Sequence, residues 1–243
     1  MERKDFLRNS FGIIGIGAAL AQSCKKEVTD ATTSTTDTTT TDGCTLAPTE
    51  VEGPYPYVDG EINNPLLRSD VTAGQTGLPL SLTFNVVNTN SSCAVVAGAR
   101  VDIWHCNKDG YYSGYGNQTG GVLGTKSYVG ETWLRGYQIA DANGQVIFNT
   151  IYPGWYQGRA THIHIEIFVN SVLKKTTQIT FPETISDAVH VSSLYAAHGV
   201  NTMRNASDNI FGNSATDLAN ETVTLTGDIT NGYAGTFTLG IAL

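Results

Sequence analysis

Two histidines, His162 and His164, stand one residue apart in the apolar stretch GRATHIHIEIF, and two tyrosines, Tyr112 and Tyr156, lie upstream of them. In an extended strand alternate side chains leave the same face, so His162, His164 and Glu166 share one side while Ile163, Ile165 and Ile167 take the other. That arrangement can present two imidazoles to one metal ion, although a strand histidine is often only a satisfied polar residue. The tyrosines narrow the choice. A phenol ionises near pH ~10, so a phenolate at neutral pH needs a strong stabiliser such as a trivalent metal. A hard anionic oxygen favours ferric over ferrous iron, and two phenolates with two imidazoles would leave a ferric ion with net positive charge and an open position for an oxygen ligand.

These side chains must be carried by particular elements. Tyr112 falls in VDIWHCNKDGYYSGY, where a strand runs out into a Gly-containing loop, and Tyr156 follows the Pro153-Gly154 turn in TIYPGWYQGR. Spacing alone does not choose between Tyr112 and its neighbours Tyr111 and Tyr115, each of which could be a packed aromatic. From residue 79 the pattern has period two: PLSLTFNVVN puts Leu80, Leu82, Phe84 and Val86 on one face. GARVDIWHC, IHIEIFV, TTQITF, TVTLT and GTFTLGI continue with similar strand composition. Asn143-Gly144 supplies the positive φ angles of a two-residue turn, which predicts a hairpin over RGYQIADANGQVIFN. Long helical periodicity is absent. The fold class expected is all-β: a β-sandwich of mainly antiparallel strands, with long active-site loops and a few short helical turns near residues 185–210. Trp104 is expected to pack in the sandwich. His105 and Cys106 are not read as a ligand pair, because alternation points neighbours apart. His190 and His198 are read as surface or loop residues.

The chain ends bound the rest. MERKDFLRNSFGIIGIGAALAQSC joins a charged start to an apolar run, Phe11 to Ala21, and small residues leading into Cys24. Residues 1–24 therefore read as an export signal, with Ala21-Gln22-Ser23-Cys24 similar to a lipoprotein box and Arg3-Lys4 similar to a twin-arginine motif carrying one lysine. The expected localisation is exported, as a lipoprotein held at a bacterial membrane by its N-terminal lipid anchor. Residues 25–43, rich in Thr and Asp, bury too little apolar surface to offset their ordering entropy and read as a flexible tether. The folded domain is expected over 44–243. Its Cys44, Cys93 and Cys106 allow one disulfide, and since Cys93 and Cys106 bracket a strand, a bond using Cys44 is favoured. A formal charge of −8 with only 14 Lys and Arg argues against nucleic acid as a partner.

Taken together, TEVEGPYPY, GARVDIWHCNKDGYYSGY, LRGYQIADANGQVIFNTIYPGWYQGRATHIHIEIF, TQITF and NTMRNASDNIF resemble the intradiol ring-cleavage dioxygenases, non-haem Fe(III) enzymes that open catechols between the hydroxyl-bearing carbons. The likeness spans roughly residues 44–240 and is greatest to the secreted, single-domain branch with the short GWYxGRxxHIH form. The resemblance implies Fe(III) held by Tyr112, Tyr156, His162 and His164. It implies that Tyr156 also serves as a base, that Arg159 lies beside the substrate, and that Gln178 falls near an active-site glutamine of the family. Glu52-Gly53-Pro54-Tyr55 would border the cavity. The substrates implied are a catechol-type aromatic and O2, with a muconate-type diacid as product and no organic cofactor.

Departures from the family limit the transfer. The helical N-terminal region of the catechol 1,2-dioxygenases is missing, so their dimerisation is not carried over and the oligomeric state stays open. The interval from Tyr156 to His162 is short, which should leave the iron open to bulky or varied catechols. Arg159 has a plainer reading as a structural carboxylate partner. Two other functions compete: a non-catalytic cell-surface β-sandwich that binds carbohydrate through exposed aromatics, and a zinc hydrolase using the histidine pair. Zinc sites recruit His, Cys or carboxylates, which two tyrosines do not fit.

Overall fold

The computed structural model describes residues 44–56 and 66–243. The expected signal and tether, residues 1–24 and 25–43, lie outside the described residues. Period-two stretches become strands: β1 (Pro79–Asn88), β2 (Ala94–Val95), β3 (Arg100–Trp104), β4 (Arg135–Ile139), β5 (Gln145–Ile151), β6 (His162–Val169), β7 (Val172–Thr180), β8 (Thr224–Asp228) and β9 (Gly232–Ile241). They form two sheets. In the first, β1 is central, with β9 and then β8 on one side and β5 and β2 on the other. The second runs β4-β3-β6-β7 and is antiparallel throughout. The β1–β9 pair is parallel, Leu82 lying opposite Gly235.

The inward faces build the main core. Leu80, Leu82, Phe84, Val86, Phe148 and Leu239 of the first sheet meet Val101, Ile103, Ile163, Ile165, Ile167 and Ile179 of the second. Burial of such side chains is the main term stabilising the sandwich, at ~1.5–3 kcal/mol for each large one. Because Ile163, Ile165 and Ile167 are committed to this core, alternation sends His162, His164 and Glu166 to the opposite face of β6. The sequence pattern thus chooses the face on which chemistry can occur.

Among the described residues, helical structure is confined to α1 (Glu183–His190), α2 (Ala215–Glu221) and single 3-10 turns at Asn205–Ser207 and Phe211–Asn213. The folded part has its bond from Cys44, to Cys93, with Cα atoms 5.8 Å apart, and leaves Cys106 as a buried thiol.

Three expectations are corrected. The Asn143-Gly144 turn is present, with Gly144 at φ +72° and its N–H donating to Asp141 O at 3.0 Å, but it does not close a hairpin. β4 pairs with β3 and β5 with β1, so the turn carries the chain from one sheet to the other. Trp104 is fully buried yet lies outside the inter-sheet core, flat against His164 with ring centroids 4.9 Å apart. His190 is buried at the end of α1, where burial and then the nearby His198 lower its pKa to about 4. His198 is a loop residue stacked on Trp155 at 3.8 Å.

Candidate metal centre

Three segments converge over the outer face of β6. The loop from β3 to β4 brings Tyr112, the loop from β5 to β6 brings Tyr156 and Arg159, and the N-terminal arm, residues 44–56, brings Gly53 and Tyr55. Tyr112 Oη lies 3.2 Å from His162 Nε2, which lies 3.0 Å from His164 Nε2. Two donors that each sit ~2.1 Å from a shared ion can be at most ~4.2 Å apart, so both separations fit a common ion. Tyr156 closes the group, its ring centroid 5.7 Å from that of Tyr112 and 5.5 Å from that of His162. Among the described residues no group of three or more His, Cys, Asp or Glu could hold a metal, so any ion here would rely on the phenolic oxygens.

The support of each donor is local and specific. Gln118 grips the Tyr112 backbone from both sides: Tyr112 N–H donates to Gln118 Oε1 at 2.7 Å and Gln118 Nε2 donates to Tyr112 O at 2.7 Å. Tyr55 stacks on the Tyr112 ring at 4.7 Å. His162 Nδ1 lies 2.6 Å from Ala160 O, so that nitrogen carries the proton and Nε2 is left with a lone pair facing the other donors. His164 is covered by Trp104, and its Nδ1 is buried without a hydrogen-bond partner among the described residues. His105, by contrast, is spent structurally, on Thr150 Oγ1 at 2.7 Å and Cys106 O at 2.8 Å.

Electrostatics prepare the imidazoles as neutral ligands. Burial, followed by the Arg159 charge, lowers the His162 pKa to about 3, and burial with His162 and Arg159 nearby holds His164 well below its ordinary value. The phenols move the other way in protein without a cation. Burial raises Tyr112 well above its ordinary value and Tyr156 to about 12, although Arg159 opposes the second shift. A multivalent cation among these oxygens reverses that balance, since it favours the phenolate by direct charge. Neutral imidazoles and neighbouring phenols fit Fe(III) better than a softer or less charged ion.

Arg159 is a carboxylate partner and also reaches the candidate centre. Its Nε donates to Asp208 Oδ2 at 2.9 Å as a carboxylate partner, while Nη1 reaches Tyr156 Oη at 3.5 Å and Nη2 donates to Gln178 Oε1 at 2.7 Å. Gln178 in turn donates from Nε2 to Val51 O at 2.8 Å, which ties the arm to the site. All six residues singled out from the sequence are thus brought into one neighbourhood. Asp208, Gln118 and the buried Arg135, which donates to Tyr55 O at 2.9 Å, were not singled out. Their partners lie across loops and leave no periodic signal. A cavity of about 660 Å³, bordered by Asp70, Gln75, Asn149, Thr226 and Tyr233, includes none of the six.

A family model described as "Dioxygenase" matches residues 51–222. An intradiol ring-cleavage dioxygenase from Tetranychus urticae is 30% identical, with a TM-score of 0.70 over 82% of this chain and 95% of that one. The chain belongs to the intradiol ring-cleavage dioxygenase family. The dioxygenase domain of a dioxygenase carbohydrate-binding protein fusion from Streptomyces sp. SirexAA-E shares the fold, with a TM-score of 0.58 and 22% identity over 82% of this chain and 99% of that one. Catechol 1,2-dioxygenase 1 of Acinetobacter lwoffii is 26% identical over 149 residues, 54% of this chain but only 45% of that relative. The match therefore spans less than half of that curated relative's length.

Proposed function

We propose that this chain is an Fe(III) dioxygenase that cleaves catechol-type aromatics between the two hydroxylated carbons with O2, giving muconate-type diacids. The observation that carries this reading is the approach of Tyr112 Oη, His162 Nε2 and His164 Nε2 to within 3.2 and 3.0 Å, beside an Arg159 that links Tyr156 to Gln178. Tyr112, Tyr156, His162 and His164 would hold the ion. Bound ferric iron would supply Lewis acidity and a one-electron path by which a catecholate can react with O2.

The other steps belong to the chain. Tyr156 is half-buried whereas Tyr112 is fully buried, so Tyr156 is the phenol whose Oη would accept a substrate proton. Arg159, held in place by Asp208, presents Nη1 and Nη2 where negative charge develops on the substrate. Trp104, Tyr55 and the Gly53 backbone keep water from the histidine side.

The short interval from Tyr156 to His162 supports acceptance of several substituted catechols; turnover of a single small compound from a panel would reject that part. Export and an N-terminal lipid anchor on Cys24 remain part of the proposal, supported by the Cys44–Cys93 disulfide, which suits an oxidising compartment. Failure of Cys24 to incorporate labelled fatty acid in cells would reject the anchor. The carbohydrate-binding alternative is disfavoured because Tyr55, Tyr112, Tyr115 and Tyr156 pack inward with Trp104 rather than form an exposed platform.

Metal analysis with visible absorption tests the main reading. The purified protein should contain iron and show a broad phenolate-to-ferric band that shifts when catechol is added without oxygen. A protein that stays colourless after ferric loading, or a Tyr112→Phe variant with an unchanged band, would overturn it.

A further inference from the structure

Asp208 sits between the two 3-10 turns, fully buried, and gathers four donors on one carboxylate. Oδ2 accepts from Arg159 Nε at 2.9 Å and from the Ala160 N–H at 2.6 Å. Oδ1 accepts from the Ile210 N–H at 2.8 Å and more weakly from the Phe211 N–H at 3.4 Å. Three of the four donor residues adjoin the candidate centre. Arg159 reaches Tyr156 and Gln178, Ala160 O accepts a hydrogen bond from His162 Nδ1, and the Phe211 ring lies 6.4 Å from the His162 ring.

We propose that Asp208 is the positioning residue of the site, holding the Arg159 guanidinium toward Tyr156 and Gln178 and, through Ala160, fixing the His162 tautomer that turns Nε2 to the metal. The inference rests on the reading of His162 as a ligand and Arg159 as substrate-facing. With Nε locked on Asp208, the guanidinium is left only its two terminal nitrogens, and these are the ones aimed at the site. Ala160 is held at its N–H by Asp208, and its carbonyl, in the next peptide unit, accepts from His162 Nδ1, so one carboxylate bears on both the charged and the ligating side chain. Asn201 Nδ2 donates to Arg159 O at 2.8 Å and steadies the same turn without touching the guanidinium.

Asp208→Asn keeps the shape and removes the charge. An amide offers one oxygen where the carboxylate offers two, so either the Arg159–Ala160 pair or the Ile210–Phe211 pair must face an NH2 donor. With iron-loaded protein and catechol, Asp208→Asn should lower kcat/KM by about 10–100-fold, mainly through kcat. In an Arg159→Gln background the same change should cost a smaller fold-loss, because the share carried through the guanidinium is already gone while the share carried through His162 persists. In metal-free protein, ring-nitrogen NMR should show His162 protonated at Nδ1 in the wild type, with that tautomer's share falling in Asp208→Asn but not in Asn201→Ala.

Equal fold-losses in both backgrounds together with an unchanged His162 tautomer would overturn the proposal and leave Asp208 a stability residue. If Asp208→Asn does not fold, Asp208→Glu, which keeps the charge but displaces it by one methylene, carries the same cycle and the same tautomer measurement. A wild-type protein that binds no iron and turns over no catechol would sink the proposed function instead. The tautomer result would still decide whether Asp208 orients His162.

Discussion

Replacing Gly53 with alanine is expected to damage the centre far more than it damages the fold. Gly53 has φ +72°, and a Cβ added there would stand 2.9 Å from His164 Cε1. Carbon atoms rest ~3.5–4.0 Å apart, so the imidazole or the arm must give way by roughly 0.6 Å at least. The ring has little room to retreat, because Trp104 lies parallel to it with an interplanar angle of 3°. A reacting group misplaced by ~1 Å can cost ~10²-fold, so a shift of this size should reduce ferric affinity and kcat/KM by about 10-fold. The positive φ adds ~1–2 kcal/mol of backbone strain to any side chain placed there. Gly98→Ala separates the two effects: Gly98 has φ +74° and nothing within 4 Å of the added Cβ. Both variants should lose a few degrees of Tm in the metal-free protein, at ~2–4 °C per kcal/mol for a domain of this size. Only Gly53→Ala should also weaken iron binding in competition with a chelator and reduce oxygen uptake with catechol. Equal iron affinity and activity in the two variants would refute the reasoning that the arm forms a wall of the centre.

Other outcomes follow from the same contacts. Tyr156→Phe removes the oxygen that Arg159 approaches; kcat should fall by ~10²–10⁴ with iron still bound through Tyr112, His162 and His164, and a fully active variant would end the assignment of Tyr156 as base. Cys44 and Cys93 close a 49-residue separation, so on the chain-entropy account Cys93→Ser should cost about 4 kcal/mol in denaturant unfolding. Burial, followed by the charges of Glu50 and Asp217, raises the Glu221 pKa to about 9. A carboxyl raised in the folded state contributes stability below its ordinary pKa and loses it as pH rises through the folded value, so the contribution of Glu221 to Tm should decline from about pH 5 to pH 9. Glu221→Gln should flatten that decline, and an equally steep profile in the variant would exclude Glu221 as its source.

The strands and the face of β6 that carries the histidines were legible because burial imposes a period on neighbouring residues, as Ile163, Ile165 and Ile167 show. Local turn chemistry was legible too, but not its topological use. Asn143-Gly144 specifies a sharp reversal, whereas the partner of β5 is decided by a distant strand, with Phe148 opposite Leu82 of β1. His190 was misread because α1 is only 8 residues long, too short for helical periodicity to declare which face turns inward. At the centre, residue type and the family likeness picked out Tyr112, Tyr156, Arg159, His162, His164 and Gln178. Asp208 escaped because its meaning lies wholly in partners from another loop, and an Asp in a polar stretch reads as solvated until Arg159 is seen against it.

The same distinction explains why the N-terminal arm matters more than its lack of regular structure suggests. It starts at the Cys44–Cys93 bond, donates from Ala47 N to Gly240 O at 2.9 Å at the first sheet, and crosses to the second, where Glu50 N donates to Thr176 O at 2.9 Å. Beyond that point alternate residues meet the centre: Val51 O accepts from Gln178, Gly53 lies on His164, and Tyr55 covers Tyr112. Arg135 fixes the far end, donating from Nη1 to Tyr55 O at 2.9 Å and Pro56 O at 3.1 Å. A segment with no ladder of its own is therefore held by both sheets, and it lowers the local dielectric around the donors. In such an environment a phenolate without a cation is strongly disfavoured, while its attraction to a trivalent ion is enhanced. The arm would thus make the tyrosines poor acids when alone and strong ligands for a trivalent ion, which is the condition the proposed ferric centre requires at neutral pH.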